Sequence, residues 1–445
     1  MTLSKLTTLA DWLDHIERQH PKSIDMGLDR VRAVATVMGL KRPAKRVITV
    51  GGTNGKGSTV AFIESIARAA GWKVGAYTSP HLLAYNERVR LNGEDADDAS
   101  LVAGFEAVEA ARGDVALTYF EYGTLCALWL FQRAKLDLAV LEVGLGGRLD
   151  ATNVVDPDVA VITTVDLDHQ DYLGDDREAI GAEKAGIARA WKPLVLGDDM
   201  PPSSVLGHAY AIGASAVRAG CDYFFEPLDA DTWRWREVGF SATLPRPHLA
   251  VPVQLRNAAT AIAALRALPR PPSRQALAAG IANARLAGRL QRFERDGVEI
   301  VVDVAHNPQA AGELAAWLGQ ARRTPTWLDP EPSTPEPSLP PQAPGVTRAV
   351  YAALADKDAV GVVGALAGQV DAWYLAGLAE HGPRGTDVGA LATRLADTAA
   401  ASAPQFADVR QALAAARAEA HAGDRILVFG SFHTAADALA ALAAE

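Results

Sequence analysis

The sequence predicts an α/β fold built on a mainly parallel sheet, and three observations carry that reading. Apolar runs of strand length alternate with stretches of helical periodicity, turns rich in glycine and polar residues follow the runs, and two such series occupy the chain. The first series starts with a strand at 47–50, passes through a glycine loop, and enters a helix over 59–70. Val60, Ile63, Ile66 and Ala67 mark that helix and Gly71 closes it. Further strands are predicted at 73–77, 136–143, 159–165 and 193–196. In an open parallel sheet, the turns at the carboxyl ends of such strands are where ligands bind.

A second series, with strands at 299–303, 348–353, 373–375 and 426–429, is separated by alanine-rich helical stretches. The expected division is a larger domain over 1–286 and a smaller α/β domain over 287–445. Residues 324–345 are so rich in proline that they read as an extended, exposed insertion in the smaller domain. At the amino end, Leu6, Leu9, Leu13 and Ile16 form the stripe of an amphipathic helix rather than the apolar core of an export signal.

Composition narrows the function classes. With 445 residues, 49% apolar and 22% charged, the chain is large enough and apolar enough to bury a sizeable core. Its 43 Lys and Arg against 53 Asp and Glu leave a formal net charge of −10, the wrong sign for gripping a nucleic-acid backbone. No apolar run approaches the roughly 18 residues of a membrane helix, so no membrane partner is expected. Only Cys126 and Cys221 occur, which excludes a disulfide framework or a zinc ribbon and fits a reducing cytoplasm.

The sharpest motif is GGTNGKGST at 51–59, between a β-branched strand and a helix. Its glycines let consecutive backbone N–H groups turn toward an anion, the start of the following helix adds its positive dipole end, and Lys56 can reach the β- and γ-phosphates. This is a nucleoside triphosphate loop, although Gly57 separates Lys56 from Ser58 and so departs from the plain G-x-x-x-x-G-K-[ST] pattern. Glu142 closes an otherwise apolar strand in LEVGLGGRLDATN (141–153), where a carboxylate needs a cation: a Mg²⁺ shared with phosphates, or a structural partner such as Arg148. His169 follows the strand at 159–165 and reads either as a metal or phosphate ligand or as a hydrogen-bonded structural histidine. Lys184, beside Glu183 in a helical stretch, reads by default as half of a surface ion pair. In VVDVAHNPQA (301–310), Asp303 and His306 end a strand at a ligand-binding position, and the alternative is a turn held by Asp303 with a helix cap by Asn307.

Taken in order, GTNGKGS (52–58), SPHL (79–82), NERVR (86–90), LTYFEYGT (117–124), LEVGLGGRLDATN, the DH…EKAGI block (168–187), AHNP (305–308) and DKD (356–358) resemble the folylpolyglutamate synthase family of the Mur ligase superfamily, bifunctional bacterial members above all. The resemblance covers nearly the whole chain and implies a P-loop-containing, Mur ligase-like central domain followed by a Rossmann-like α/β domain. It implies that Gly55, Lys56, Gly57, Ser58, Asn257, Arg289 and Asp303 contact ATP, that Ser79, Glu142 and His169 are magnesium ligands, and that Lys184 is the family's carbamylated lysine and a further ligand. His306 would act near nucleotide and glutamate, with Lys56 and Lys184 in catalysis. Ile24, Asp25, Met26, Thr118, Leu149, Asp150 and Ala151 match the pterin-binding region.

The implied reaction is ATP-dependent joining of L-glutamate to dihydropteroate and to reduced folates through an acyl phosphate. Mg²⁺ and a monovalent cation such as K⁺ are the expected ions, and a monomer the expected state. A folylpolyglutamate synthase without dihydropteroate activity is the alternative, and another Mur-type amide ligase a further one. Ala287 before Gly288 and Ala355 before the DKD run depart from the family pattern without removing a metal or phosphate group.

Overall fold

The computed structural model describes residues 6–22, 24–247, 252–285, 287–323, 345–382 and 384–444. The chain forms two compact units, Met1–Arg285 and Leu286–Glu445. Apart from Gly345, the proline-rich stretch lies outside the described residues. Among the described residues, no helix is long and apolar enough to cross a membrane.

The first unit opens with helix α1 (Leu9–Glu17), started by a capping box between Thr8 and Asp11 and buried through Leu9, Trp12 and Ile16, followed by α2 (Asp29–Val37). Its main sheet contains β1 (Ala44–Gly51), β2 (Val74–Tyr77), β3 (Val89–Leu91), β4 (Glu94–Asp95), β5 (Leu136–Glu142), β6 (Val159–Ile162), β7 (Pro193–Leu196) and β8 (Ser215–Arg218), in the order β4-β3-β2-β5-β1-β6-β7-β8. From β2 to β8 every neighbouring pair is parallel, and β3 and β4 add an antiparallel edge. Helices α3 (Lys56–Ala69), α4 (Asp98–Arg112), α5 (Tyr119–Ala134), α6 (Gln170–Leu173), α7 (Arg177–Ala185) and α8 (Ser203–Ile212) connect these strands.

The central strands are continuous apolar runs because both faces are covered: Val47, Ile48, Val50, Leu138, Ala139, Val140, Val159 and Val161 are all fully buried. Strand β1 lies between β5 and β6, and the chain leaves it toward β2 on one side and later crosses to β6 on the other. That reversal leaves a crevice at the carboxyl end of β1, where the glycine loop begins.

A three-stranded antiparallel sheet, β9 (Tyr223–Pro227), β10 (Thr232–Glu237) and β11 (Phe240–Pro245), was not predicted. Its signal is the period-two alternation in β10, where Trp233 and Trp235 are buried and Arg234 and Arg236 exposed. Helices α9 (Pro252–Arg266) and α10 (Arg274–Asn283) follow, and both pack on α3.

The second unit is a six-stranded sheet, β12 (Gln291–Arg295), β13 (Val298–Val302), β14 (Thr347–Tyr351), β15 (Ala372–Ala376), β16 (Gln405–Phe406) and β17 (Arg425–Phe429), in the order β12-β13-β17-β14-β15-β16. Helices α11 (Pro308–Arg323), α12 (Ala359–Leu366), α13 (Val388–Arg394), α14 (Val409–Ala418) and α15 (Phe432–Ala443) join them. The expectation that the strand over 299–303 is the first of this unit is corrected: β12 precedes it and forms a hairpin with β13. The turn is Asp296-Gly297, both at positive φ, a dipeptide that signals a two-residue hairpin.

The phosphate-loop helix is seated by a contact that admits no extra atom. A Cβ on Gly280 of α10 would lie 2.3 Å from the Ile66 Cα of α3, and Ser65 Oγ donates to the Gly280 carbonyl at 2.7 Å. Because backbone and not a flexible side chain stands in the way, Gly280→Ala should destabilise the first unit by about 1–3 kcal/mol, read as a lower urea midpoint at unchanged slope.

Candidate active site

The loop from β1 to α3 is shaped by its neighbours. Gly52, at φ 145°, passes so close to β6 that a Cβ would lie 1.9 Å from Thr163 Oγ1. Gly55 holds the left-handed conformation that starts α3, and a Cβ there would meet Asn257 Oδ1 at 2.5 Å. Thr53 N donates to the Thr164 carbonyl at 2.8 Å, Asn54 N to Thr164 Oγ1 at 3.1 Å, and Thr163 Oγ1 to the Asn54 carbonyl. Lys56 Nζ donates to the carbonyls of Gly52 and Thr53 at 2.9 and 3.1 Å, so the ammonium lies over the loop. Buried Asn257 and Gln254 of α9 continue the network, Gln254 Nε2 reaching Ser58 Oγ at 3.3 Å. Thr163, Thr164 and Gln254 are loop-shaping residues that the sequence reading missed; two threonines directly after an apolar strand are the trace the first two leave.

Glu142 ends β5 opposite Val50 of β1. It is buried, and its Oε2 accepts the Ser79 N–H at 3.2 Å, bringing together two of the predicted metal ligands. The suggested pairing with Arg148 is corrected: that guanidinium bonds Glu183 at 2.8 Å. His169 starts α6 at φ 52°, with its N–H on Asp168 Oδ1 at 2.9 Å and its Nε2 3.9 Å from Asp168 Oδ2.

The surface reading of Lys184 is also corrected. The residue is only 4% exposed, because the end of α7 packs under the loop over 144–147, where a Cβ on Gly147 would lie 3.0 Å from the Lys184 carbonyl. Burial first and the Lys56 ammonium second lower its pKa to about 7, against the opposing charges of Asp168 and Asp150. Periodicity could not find this burial, because it depends on a glycine loop remote in sequence.

Two of the predicted pterin residues, Met26 and Asp150, meet that same loop. Asp150 is buried and its carboxylate accepts four bonds: Gly144 N and Leu145 N at 2.9 Å, Thr152 N at 3.0 Å and Thr152 Oγ1 at 2.6 Å. Burial nevertheless raises its pKa against those bonds. A Cβ on Gly146 would lie 2.9 Å from Leu173 and 3.4 Å from the Met26 methyl, and one on Gly144 would lie 2.7 Å from Phe120. Thr118 caps α5 through a reciprocal box with Glu121. Ile24, Asp25 and Leu149 are half-buried, and Ala151 is buried.

In the second unit, Asp303 follows β13 and is buried. Its two oxygens accept Leu290 N and Ala305 N, each at 2.8 Å. Burial raises its pKa, with Arg289 foremost among the opposing charges. Arg289 lies 5.2 Å over the Phe432 ring, and His306 is 6.3 Å from that ring with Nδ1 2.9 Å from the Val304 carbonyl. Asn307 Oδ1 accepts Ala310 N at 3.0 Å, so the helix cap is present together with the Asp303–Arg289–His306 cluster. Phe432, the first residue of α15 after β17, is a member that sequence reading missed, although like His306 it comes soon after the end of a strand.

Among the described residues, no group of three or more His, Cys, Asp or Glu is arranged to hold a metal alone. The buried Glu142 carboxylate instead suits Mg²⁺, which takes few protein oxygens and completes its shell with water and phosphate. The residues therefore fit a divalent ion that arrives with nucleotide.

A parallel sheet with a lysine-bearing phosphate loop, a carboxylate on the adjacent strand and a buried lysine nearby defines a class, and comparison with known proteins agrees. The Mur ligase middle domain matches residues 50–222, and the Mur ligase glutamate ligase domain matches 338–432. The dihydrofolate synthase/folylpolyglutamate synthase of Escherichia coli (strain K12) is 46% identical over 429 residues, covering 96% of this chain and 94% of that protein. The structure of E. coli FolC in complex with DHPP and ADP superposes with a TM-score of 0.88 at 44% identity, covering 99% of this chain and 98% of that one. A bifunctional folylpolyglutamate synthase/dihydrofolate synthase with Mn, AMPPNP and L-glutamate bound gives 0.86 at 44% identity, with 98% of each chain covered. The chain belongs to the dihydrofolate synthase/folylpolyglutamate synthase family of ATP-dependent ligases.

Gly52→Ala should displace the loop from Thr163 and weaken ATP binding by roughly tenfold or more, the scale of one lost charge-assisted hydrogen bond. Isothermal titration with ATP and Mg²⁺ measures it.

Proposed function

We propose that this chain joins L-glutamate to dihydropteroate, forming dihydrofolate, and to reduced folates, forming folylpolyglutamates, with ATP converted to ADP and phosphate. The observation that carries this reading is the Lys56 ammonium over the phosphate loop, with Lys184 buried within its electrostatic reach and with Glu142 and Ser79 in contact at the carboxyl ends of two strands on one side of β1. The ligands named in the matched structures, nucleotide, Mn, DHPP and L-glutamate, support the substrate classes.

The substrate carboxylate attacks the γ-phosphorus of ATP, the bond to the bridging oxygen breaks, and ADP leaves an acyl phosphate. The glutamate amine then attacks the acyl carbon, loses a proton and expels phosphate. Charge gathers on the phosphoryl oxygens during the first step, so positioning and electrostatics dominate. Lys56 and the N–H groups of Gly55, Gly57 and Ser58 meet those oxygens, and Asn257 holds the loop from behind.

Ser79, Glu142, His169 and Lys184 would hold the divalent ion, which supplies positive charge to the phosphate oxygens when bound. Lys184 joins this set as a carbamate: its free amine adds carbon dioxide, loses a proton and becomes an anion with two oxygens. A pKa of about 7 leaves much of the amine unprotonated and nucleophilic at neutral pH. In the second unit, Arg289, Asp303 and His306 are assigned to nucleotide and glutamate. Ile24, Asp25, Met26, Thr118, Leu149 and Ala151 are assigned to the pterin, with Asp150 acting through the loop that its carboxylate shapes.

On the family resemblance we add a monovalent cation such as K⁺, a monomeric state and a cytoplasmic location; the two free cysteines suit a reducing compartment. The deciding experiment is ADP release with ATP, Mg²⁺ and glutamate, offering dihydropteroate or a reduced folate separately and identifying products by mass. Activity with both establishes the bifunctional reading, activity with folate alone reduces it to folylpolyglutamate synthesis, and silence with both overturns it.

Glu142→Ala should lower turnover by roughly 10²–10³-fold while the circular dichroism spectrum stays unchanged. For Lys184 the sign follows from the lowered pKa: protonation below about 7 removes the nucleophilic lone pair, and deprotonation above it restores carbamylation. Activity at fixed total bicarbonate should therefore rise as pH increases through 7. Lys184→Ala should lose activity, regain part of it with added acetate, and lose that carbamate-dependent limb of the pH profile.

A further inference from the structure

Residues 24–26 lie between α1 and α2 outside any strand or helix, and Leu28, at the N-cap of α2, gives that helix no side-chain cap. A segment of this kind needs another element to hold it if it is to present a fixed surface to a ligand. Arg30 provides that hold. Its Nη1 donates to Asp25 Oδ2 and its Nη2 to the Asp25 carbonyl, both at 2.6 Å, so one guanidinium grips side chain and backbone of the same residue. The other edge faces Glu121 of α5, with Nε 3.1 Å from Oε1 and Nη2 3.0 Å from it. Glu121 is buried and accepts Thr118 N at 2.8 Å through its second oxygen.

Thus the chain Asp25–Arg30–Glu121–Thr118 links two parts of the pterin region that lie far apart in sequence. His20 and Lys22 also approach Asp25, at 3.6 and 3.3 Å, but neither reaches across to α5 in the way Arg30 does. A lysine in place of Arg30 keeps the charge and loses the fork, since an ammonium is a point donor that cannot span two carboxylates in a plane and a carbonyl together.

We propose that Arg30 is a positioning residue for substrate recognition: its guanidinium fixes the Ile24–Asp25–Met26 segment against the first turn of α5 and so sets the pterin end of the acyl-substrate site. This rests on the functional reading above and deepens it. Arg30 acts through Asp25 and Thr118, touches neither nucleotide nor the reacting carboxylate, and therefore governs KM for pterin substrates rather than the rate of phosphoryl transfer.

The test is steady-state kinetics of Arg30→Lys beside the wild-type enzyme, with dihydropteroate and with tetrahydrofolate as substrates. The expected result is a rise of about tenfold or more in KM for both pterin substrates by a similar factor, with kcat and the KM values for ATP and glutamate within about twofold. Because removing the guanidinium outright leaves Glu121 buried without its cation, a second variant, Arg30→Ala with Glu121→Gln, removes both charges. It should show the same selective KM change with a thermal midpoint near that of the wild type. Unchanged KM for pterin substrates in both variants overturns the inference, as does a parallel loss in every constant with a lowered midpoint, which marks a merely structural ion pair. Wild-type protein that turns over neither substrate removes the functional reading and this inference with it, whereas active wild type with an unaffected Arg30→Lys variant removes the inference alone.

Discussion

The rest of the first unit depends on the turn from β1 into α3. A glycine loop has backbone N–H groups that neither strand nor helix satisfies, and they are useful only if they are held in one arrangement that points at an anion. The holding groups come from outside the loop. Thr163 and Thr164, just past β6, bond Asn54 and Thr53, Asn257 on α9 fills the space above Gly55, and α10 seats the helix through Gly280. Glycine at 52 and 55 is therefore required twice: by a positive φ and by neighbours that leave no room for a Cβ.

A second buried group organises what lies beside that turn. The Asp150 carboxylate draws Gly144, Leu145 and Thr152 around itself, and the loop so folded lies against α7, α6 and α5. Lys184 is buried as a result, and burial turns an ordinary lysine into one with a pKa of about 7 beside Lys56. The chemistry proposed for Lys184 is thus a consequence of packing, several bonds removed from the lysine itself.

Much of this was legible in the sequence. The strands carrying the site are apolar runs covered on both faces, and the predicted runs at 47–50, 136–143, 159–165 and 193–196 fall on β1, β5, β6 and β7 to within a few residues. The antiparallel strands escaped because they are short and half-exposed, and β12 because its own run is mostly polar. Candidate site residues at strand ends, Glu142, His169 and Asp303, were legible because a polar group closing or following an apolar run stands out. The burial of Lys184 and the bridging by Arg30 were not, since each lies within a helix whose local pattern looks ordinary and a deciding neighbour, Lys56 for one and Glu121 for the other, is remote in sequence.

The sequence by itself determined the class of fold, the phosphate loop and the family, because hydrophobic period, glycine placement and motif order are local properties that survive without coordinates. Only the tertiary structure decided which lysine is buried, which carboxylates shape loops and which guanidinium joins two remote segments. Burial and charge pairing depend on surfaces brought together by folding, and no window of sequence contains both sides of such a contact.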